Sequence, residues 1–464
     1  MDKILEIIQT VNGAINGFVW GPVMLTLLIG TGLFLSIRMR FTQFAKLGYA
    51  IKNTVGSLFK KDQHNKDESG VSPFQAVATA MAGTIGTGSI AGIATAIVSG
   101  GPGAVFWMWI SALLGMITKY SEIVLSLHFR EKNEKGEWVG GPMYYIKKGV
   151  KIKWLGTTLA ALFAVFTMCA CLGTGNATQS NSISGALNLT LGIPEIATGI
   201  VLTIIVGATI LGGMKRISSI NEKLVPFMAI FFVFCSLLAI IVNFRQVPQA
   251  FALIFKEAFN FKAAFGGAAG YGIMTAMRFG FARGVFSNEA GLGSAPIAHA
   301  ASSAKSPVDQ GLWGMFEVSF TTIIICTLSA LTILTTGIWE TGEISGAPLC
   351  IESFNAIIPG IGGVIVTLST VFFALSTILG WAYYGEVSIQ YLTNKSKKAV
   401  LVYRIIYVLM VFVGAVGSLD LIWSISETMN GLMAIPNLVG LISLSGIVTK
   451  LTKDYFKDKS KLKK

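Results

Sequence analysis

The stretch Ala82-Gly83-Thr84-Ile85-Gly86-Thr87-Gly88-Ser89-Ile90-Ala91-Gly92 sits inside an apolar run long enough to cross a membrane. Gly83, Gly86, Gly88 and Gly92 alternate there with threonine and serine. Each glycine costs a helix about 1 kcal/mol relative to alanine, so a continuous span gains nothing from four of them. Unwound backbone is tolerated at membrane depth only where protein buries it or it lines a cavity. The segment therefore predicts a helix broken at mid-membrane, and with it a candidate binding site.

The rest of the chain fits that setting. Of 464 residues, 53% are hydrophobic and 13% charged, and mean hydropathy is +0.67. A soluble chain of this length carries roughly a quarter charged residues. Apolar runs recur from end to end, which predicts an all-α polytopic membrane protein in the cell membrane, with no separate soluble domain. The net charge of +13 does not point to nucleic acid, because the basic residues lie in short loops between apolar runs. That is the pattern that sets membrane topology. Cys169 and Cys171 face different ways on one helix and His64, His128 and His299 are scattered, so neither a metal site nor a disulfide is expected. The start, Met1 to Glu6, lacks a basic leader and reads as uncleaved.

Eleven transmembrane helices are expected, at roughly 15–36, 73–99, 103–129, 155–188, 195–212, 224–243, 264–302, 308–337, 361–391, 401–417 and 420–449. With that count, the basic clusters all fall on one side: the loop 37–72, the loop from Arg130 to Lys153, Lys215 to Lys223, Lys395 to Arg404, and the tail from Lys450. Lys3, Arg245, Lys256 and Lys262 fall on the other. The N-terminus is then outside and the C-terminus cytoplasmic.

A second span is abnormal. Residues 264–302 form a run far longer than the ~20 residues a bilayer needs. They hold eight glycines, from Gly266 to Gly293, which predicts two half-helices joined near Phe279–Gly284. This span is the fifth after the first broken one and runs in the opposite direction. Paired interruptions at matching positions of inverted halves point to a secondary transporter's site. Close packing through small residues explains either break alone; it explains the matched pair less well. The resulting division is a leading helix and loop (1–72), a first five-helix repeat (73–263), a second, inverted one (264–449) and a basic tail (450–464).

Longer motifs carry a family resemblance. Gly100-Gly101-Pro102-Gly103-Ala104-Val105-Phe106-Trp107-Met108-Trp109 resembles the fingerprint of the alanine/glycine:cation symporter family. So do Gly140-Gly141-Pro142-Met143-Tyr144-Tyr145, Gly284-Val285-Phe286-Ser287-Asn288-Glu289-Ala290-Gly291-Leu292-Gly293-Ser294-Ala295-Pro296, and Gly380-Trp381-Ala382-Tyr383-Tyr384-Gly385-Glu386. The motifs lie in order and cover nearly the whole chain. The resemblance implies a leucine-transporter-type 5+5 inverted repeat with one extra N-terminal helix. It also implies cation-driven import of small neutral amino acids such as alanine or glycine, with sodium as the co-transported ion and no enzymatic cofactor.

A neutral amino acid is a zwitterion, so its site must satisfy a carboxylate and an ammonium away from water. Freed N–H groups and half-helix N-termini suit the first, freed carbonyls the second. Gly86, Thr87, Gly88 and Ser89 are therefore the expected substrate contacts, mainly through the main chain; by resemblance the hydroxyls of Thr87 and Ser89 add to them. The resemblance also assigns Gln179 to the substrate, the alternative being a wet vestibule. Trp381 would wall the side chain, unless it is an interface-belt tryptophan. In the fold this chain resembles, Ser376 and Thr377 complete a sodium site with carbonyls near Ala82, Ile85 and Phe373. Adjacent hydroxyls also bond back to their own helix.

Five charged residues remain. Glu317 is an intramembrane acid, functional by default. Related chains often carry an aspartate where this one has Thr321, four residues on, so a proton coupled through Glu317 stays open beside sodium. Lys119 and Glu122 are expected to pair at i,i+3. Arg283 with Glu289 would form an inner-gate ion pair or a permanent structural one. A channel is the rival from another class. An enzyme is remote, because no nucleophile–base pair or catalytic constellation is visible.

Overall fold

A computed structural model describes residues 2–58, 70–259, 269–417 and 420–458. Residues 264–268 of the long glycine-rich run, the loop residues Lys60, Lys61, His64 and Lys66, Lys262, and the last six residues of the tail lie outside them. Among the described residues, eight helices are long and apolar enough to cross a bilayer: Glu6–Arg38, Gly103–His128, Lys153–Leu191, Gly213–Val242, Pro307–Leu334, Gly362–Leu392, Lys397–Val416 and Ser424–Lys457. The chain is a mostly helical multi-pass membrane protein. The three other expected spans fall short of this test for identifiable reasons. One is the broken segment, one is the short helix Glu195–Ile210, and one, Ala269–Asn288, carries Arg278 and Arg283.

Burial sorts the helices into layers. In Gly103–His128, 83% of the apolar stretch is buried, against 33% in Lys397–Val416. Side chains such as Ile204, Ile230 and Leu409 project outward as an apolar surface, which suits lipid and not water. The interior is largely apolar but also holds charge: Lys119, Glu122 and Glu317 are fully buried.

The first interrupted helix begins at a capping box. Gln75 N–H donates to Ser72 Oγ (3.1 Å) and Ser72 N–H donates to Gln75 Oε1 (3.0 Å), with Pro73 at the first turn. It runs Pro73–Thr84, opens through a single 3₁₀ turn at Thr87–Ser89, and resumes at Ala91–Gly100. The expected break is present where the glycines put it.

The second interruption is displaced from the expected joint. Phe279–Gly284 is helical, within Ala269–Asn288, and the chain opens at Glu289–Ser294 before the short helix Ala295–Ala300. Glu289, Gly291 and Gly293 take φ of 56°, 91° and 85°, a region L-residues other than glycine avoid. Gly280 and Gly284 serve packing instead. A Cβ on Gly280 would meet Ala104 O at 2.4 Å, and one on Gly284 would meet Ser111 Oγ at 2.8 Å. These two glycines let Ala269–Asn288 lie directly on Gly103–His128.

The start of the first interrupted segment is stitched to the end of the second. Val71 N–H donates to Ala301 O (3.0 Å) and Ser303 N–H donates to Val71 O (2.8 Å), making a parallel bridge. A short hairpin, β1 (Glu131–Lys132) with β2 (Trp138–Val139), lies in the neighbouring loop.

Candidate functional site

Ile85 ends the first half-helix, donating its N–H to Met81 O at 2.7 Å. Gly86 is then extended, with φ −110° and ψ −163°. A Cβ at Gly86 would lie 2.7 Å from Thr377 Oγ1 and 3.5 Å from Gln179 Oε1. Bare backbone therefore passes directly against two other helices, Lys153–Leu191 and Gly362–Leu392.

Gln179 braces the break. Its Oε1 accepts from Thr87 Oγ1 (3.1 Å) and Thr87 N–H (3.4 Å), while Nε2 donates to Thr174 O (3.0 Å). Thr174 sits in a π turn, Gly173–Ala177, that interrupts the surrounding helix. One amide hydrogen of Gln179 stays uncommitted by these bonds.

A small cavity lies against this turn. Gly86, Gly88, Gln179, Thr377 and Trp381, all expected, line it together with Glu289. Thr84, Thr174, Phe286 and Asn430 line it too and were not anticipated. Phe286 and Glu289 both lie in the quoted Gly284–Pro296 motif, which was the available signal for Phe286. Asn430, a lone amide in an apolar helix, offered a weaker one. Phe286 closes on Gly88, where a Cβ would come within 2.9 Å of the ring.

One expected contact, Ser89, has other surroundings. Ser89 is fully buried, but its hydroxyl pairs with Ser287 Oγ (3.0 Å) and its carbonyl accepts from Ser329 Oγ (2.8 Å), so it faces the neighbouring helices. Trp381 is buried deep in its helix, packed on Gly175, where a Cβ would come 2.5 Å from its own Cβ. Its indole N–H donates to Glu289 Oε1 at 3.1 Å. That position rules out an interface belt.

Beside the break is a nest of oxygens. Thr377 Oγ1 donates to Ala82 O (2.9 Å) and lies 2.9 Å from Phe373 O. Ser376 Oγ reaches Phe373 O (2.9 Å) and Ala82 O (3.4 Å). Ile85 is fully buried at the adjoining helix end. The hydroxyls bond back to their own helix and also meet the Ala82 carbonyl across the gap. The group is made of hard, uncharged oxygens, the donor type that suits sodium.

The charged residues pair differently from the expectation. Lys119 does not take Glu122. Its Nζ lies 3.2 Å from Glu317 Oε1 and donates to Asn288 O at 2.8 Å. Glu122 Oε1 accepts from Gly291 N–H (3.0 Å) and Asn437 Nδ2 (2.6 Å). The reason is the second break, which strands a carbonyl at Asn288 and an N–H at Gly291. Buried backbone groups must be satisfied, and the two side chains do this on opposite sides. Glu317 Oε2 lies 3.1 Å from His299 Nε2, and Thr84 Oγ1 donates to Glu317 Oε1 (3.1 Å). Arg283 does not meet Glu289; it reaches Glu427 Oε1 at 3.5 Å, part-exposed, with its guanidinium 5.7 Å from the Phe286 ring centroid. Glu289 instead accepts from Trp381 and from Ser294 Oγ (2.5 Å).

Comparison with known proteins agrees with this architecture. The sequence pattern of the sodium:alanine symporter family matches residues 5–464. The chain is 46% identical over 454 residues to the sodium/alanine symporter AgcS of Methanococcus maripaludis, covering 97% of this chain and 98% of that one. It is 36% identical over 461 residues to the putative sodium/proton-dependent alanine carrier protein YrbD of Bacillus subtilis, covering 96% and 92%. The crystal structure of MhsT in complex with L-phenylalanine superposes with a TM-score of 0.54 at 13% identity, covering 82% of this chain and 97% of that chain, a likeness of fold.

Proposed function

The chain belongs to the sodium:alanine symporter family, and from that premise we propose that it imports a small neutral amino acid together with sodium by alternating access. Membership makes it a cation-coupled amino-acid symporter rather than an enzyme; the substrate, the ion and the residues are our reading. One observation carries it. Backbone unwound at Gly86–Ser89 lines a small cavity on one side and, through Ala82 O, meets the Ser376 and Thr377 hydroxyls on the other.

In this reading the substrate carboxylate lies on freed main chain at Gly86–Gly88 and on the spare hydrogen of Gln179. Thr87 holds Gln179 in place, and Trp381 and Phe286 bound the side chain. The cavity is small and closed in by Trp381 and Phe286, which favours alanine or glycine. Sodium takes the oxygens of Ala82, Ile85, Phe373, Ser376 and Thr377. Each ligand then holds part of the other's site through the same backbone, so binding of one favours the other. Eleven spans, a leading helix before two inverted five-helix halves, an external N-terminus and a cytoplasmic C-terminus complete the proposal.

A proton coupled through Glu317 is the less favoured alternative. Both its oxygens are engaged, one by Lys119 and one by His299, and a carboxylate held by an ammonium releases that charge at high cost. The test is uptake of labelled alanine into vesicles containing the purified protein. An inward sodium gradient should drive saturable accumulation and counterflow, while a pH gradient alone should not. Accumulation driven by pH without sodium would sink the sodium reading, and linear, non-saturating flux would indicate a channel.

A further inference from the structure

Three buried carboxylates, Glu122, Glu289 and Glu317, share one buried lysine, Lys119. The lysine is committed to Glu317 and the Asn288 carbonyl. Glu122 is held by a backbone N–H and an amide. Glu289 receives only neutral donors, Trp381 Nε1 and Ser294 Oγ. Among the described residues no cationic side chain lies within ion-pair distance of it. It is also the only one of the three that lines the cavity.

A carboxylate accepts about four hydrogen bonds, and two of those positions are taken here. Burial of an uncompensated charge is costly, and Glu289 sits on backbone at φ 56°, where a glutamate is itself disfavoured. One donor holds each oxygen, so the carboxylate is fixed in orientation at the cavity wall. Among the described residues, no cationic side chain completes the arrangement.

Building on the zwitterion site above, we propose that Glu289 is the counter-ion of the substrate's ammonium group and the residue that makes a free amino group a requirement. The substrate then bridges the two interruptions, its carboxylate on the first broken helix and its ammonium on the second. Closure around it ties the two interruptions together, and a ligand lacking either charge leaves one of them unengaged.

The test measures sodium-dependent binding to the full-length purified protein of L-alanine, L-lactate and N-acetyl-L-alanine. Wild type should bind alanine on the order of 100-fold more tightly than either analogue, the scale expected for removing one member of a buried charge pair. Glu289→Gln should lose most of that preference while keeping sodium binding, and Glu289→Asp should recover part of it. Lactate binding wild type as tightly as alanine would overturn the assignment without any variant having to fold. So would a Glu289→Gln protein with unchanged selectivity, or a pH-driven uptake in wild type that this substitution abolishes, since the carboxylate would then be a proton carrier. A wild type that takes no amino acid from a broad panel overturns the transport reading itself, and this assignment falls with it.

Discussion

Thr377 does two jobs with one hydroxyl, bonding across to Ala82 O and back to Phe373 O. At this scale the residue types were readable, because adjacent hydroxyls opposite a broken helix suit a hard cation. What they touch was not readable from spacing, as the contacts span nearly 300 positions. Thr377→Ala should raise the sodium concentration for half-maximal alanine uptake about 10-fold, equivalent to about 1.4 kcal/mol. Thr377→Ser should restore most of it. Sodium titration of uptake decides this, and an unchanged midpoint in the alanine variant removes Thr377 from the cation site. Lys119 teaches the opposite lesson. Helical spacing placed Glu122 within reach, yet backbone groups stranded by a distant break claimed both side chains.

Between elements, glycine has two meanings that composition does not separate. Gly291 and Gly293 supply positive φ at an interruption. Gly280 and Gly284, expected at that interruption, lie in regular helix and hold it against Gly103–His128. The run of glycines predicted a broken span correctly and put the opening several residues too early. Gly284→Val should lower stability by about 1–3 kcal/mol through overpacking, read as a lower midpoint of thermal unfolding in detergent. Gly272→Ala, in the same helix with nothing within 4 Å, should be neutral or stabilising by up to about 1 kcal/mol. Equal effects from the two would mean that the close helix contact is absent.

Across the whole molecule, one polar chain joins both interrupted helices. Lys119 meets Glu317, which meets His299; His299 Nδ1 lies 2.9 Å from Gln310 Nε2, and that amide also donates to Pro73 O (3.3 Å). A neutral histidine donating from Nε2 and accepting at Nδ1 satisfies both neighbours. Thr84, at the edge of the cavity, bonds the same glutamate. Glu317→Gln leaves Lys119 buried without its partner, and the expected loss is about 3–5 kcal/mol. Lys119→Met should cost similarly, and the double variant much less than the sum. Unfolding free energies that simply add would show that the two charges act independently.

The sequence by itself determined the class of the protein, the polar break at Gly86–Ser89, and the residue types of both proposed sites. Those features follow from local rules: hydrocarbon excludes charge and bare peptide, and glycine in a span needs a reason. Only the tertiary structure decided which carboxylate owns the lysine, that Arg283 meets Glu427, that Ser89 faces away, and that Glu289 lines the cavity out of ion-pair reach of every described cationic side chain. Each of these is a pairing between distant segments. A buried charge takes whichever partner the packed helices bring within reach, and packing is not encoded in any single stretch of the chain.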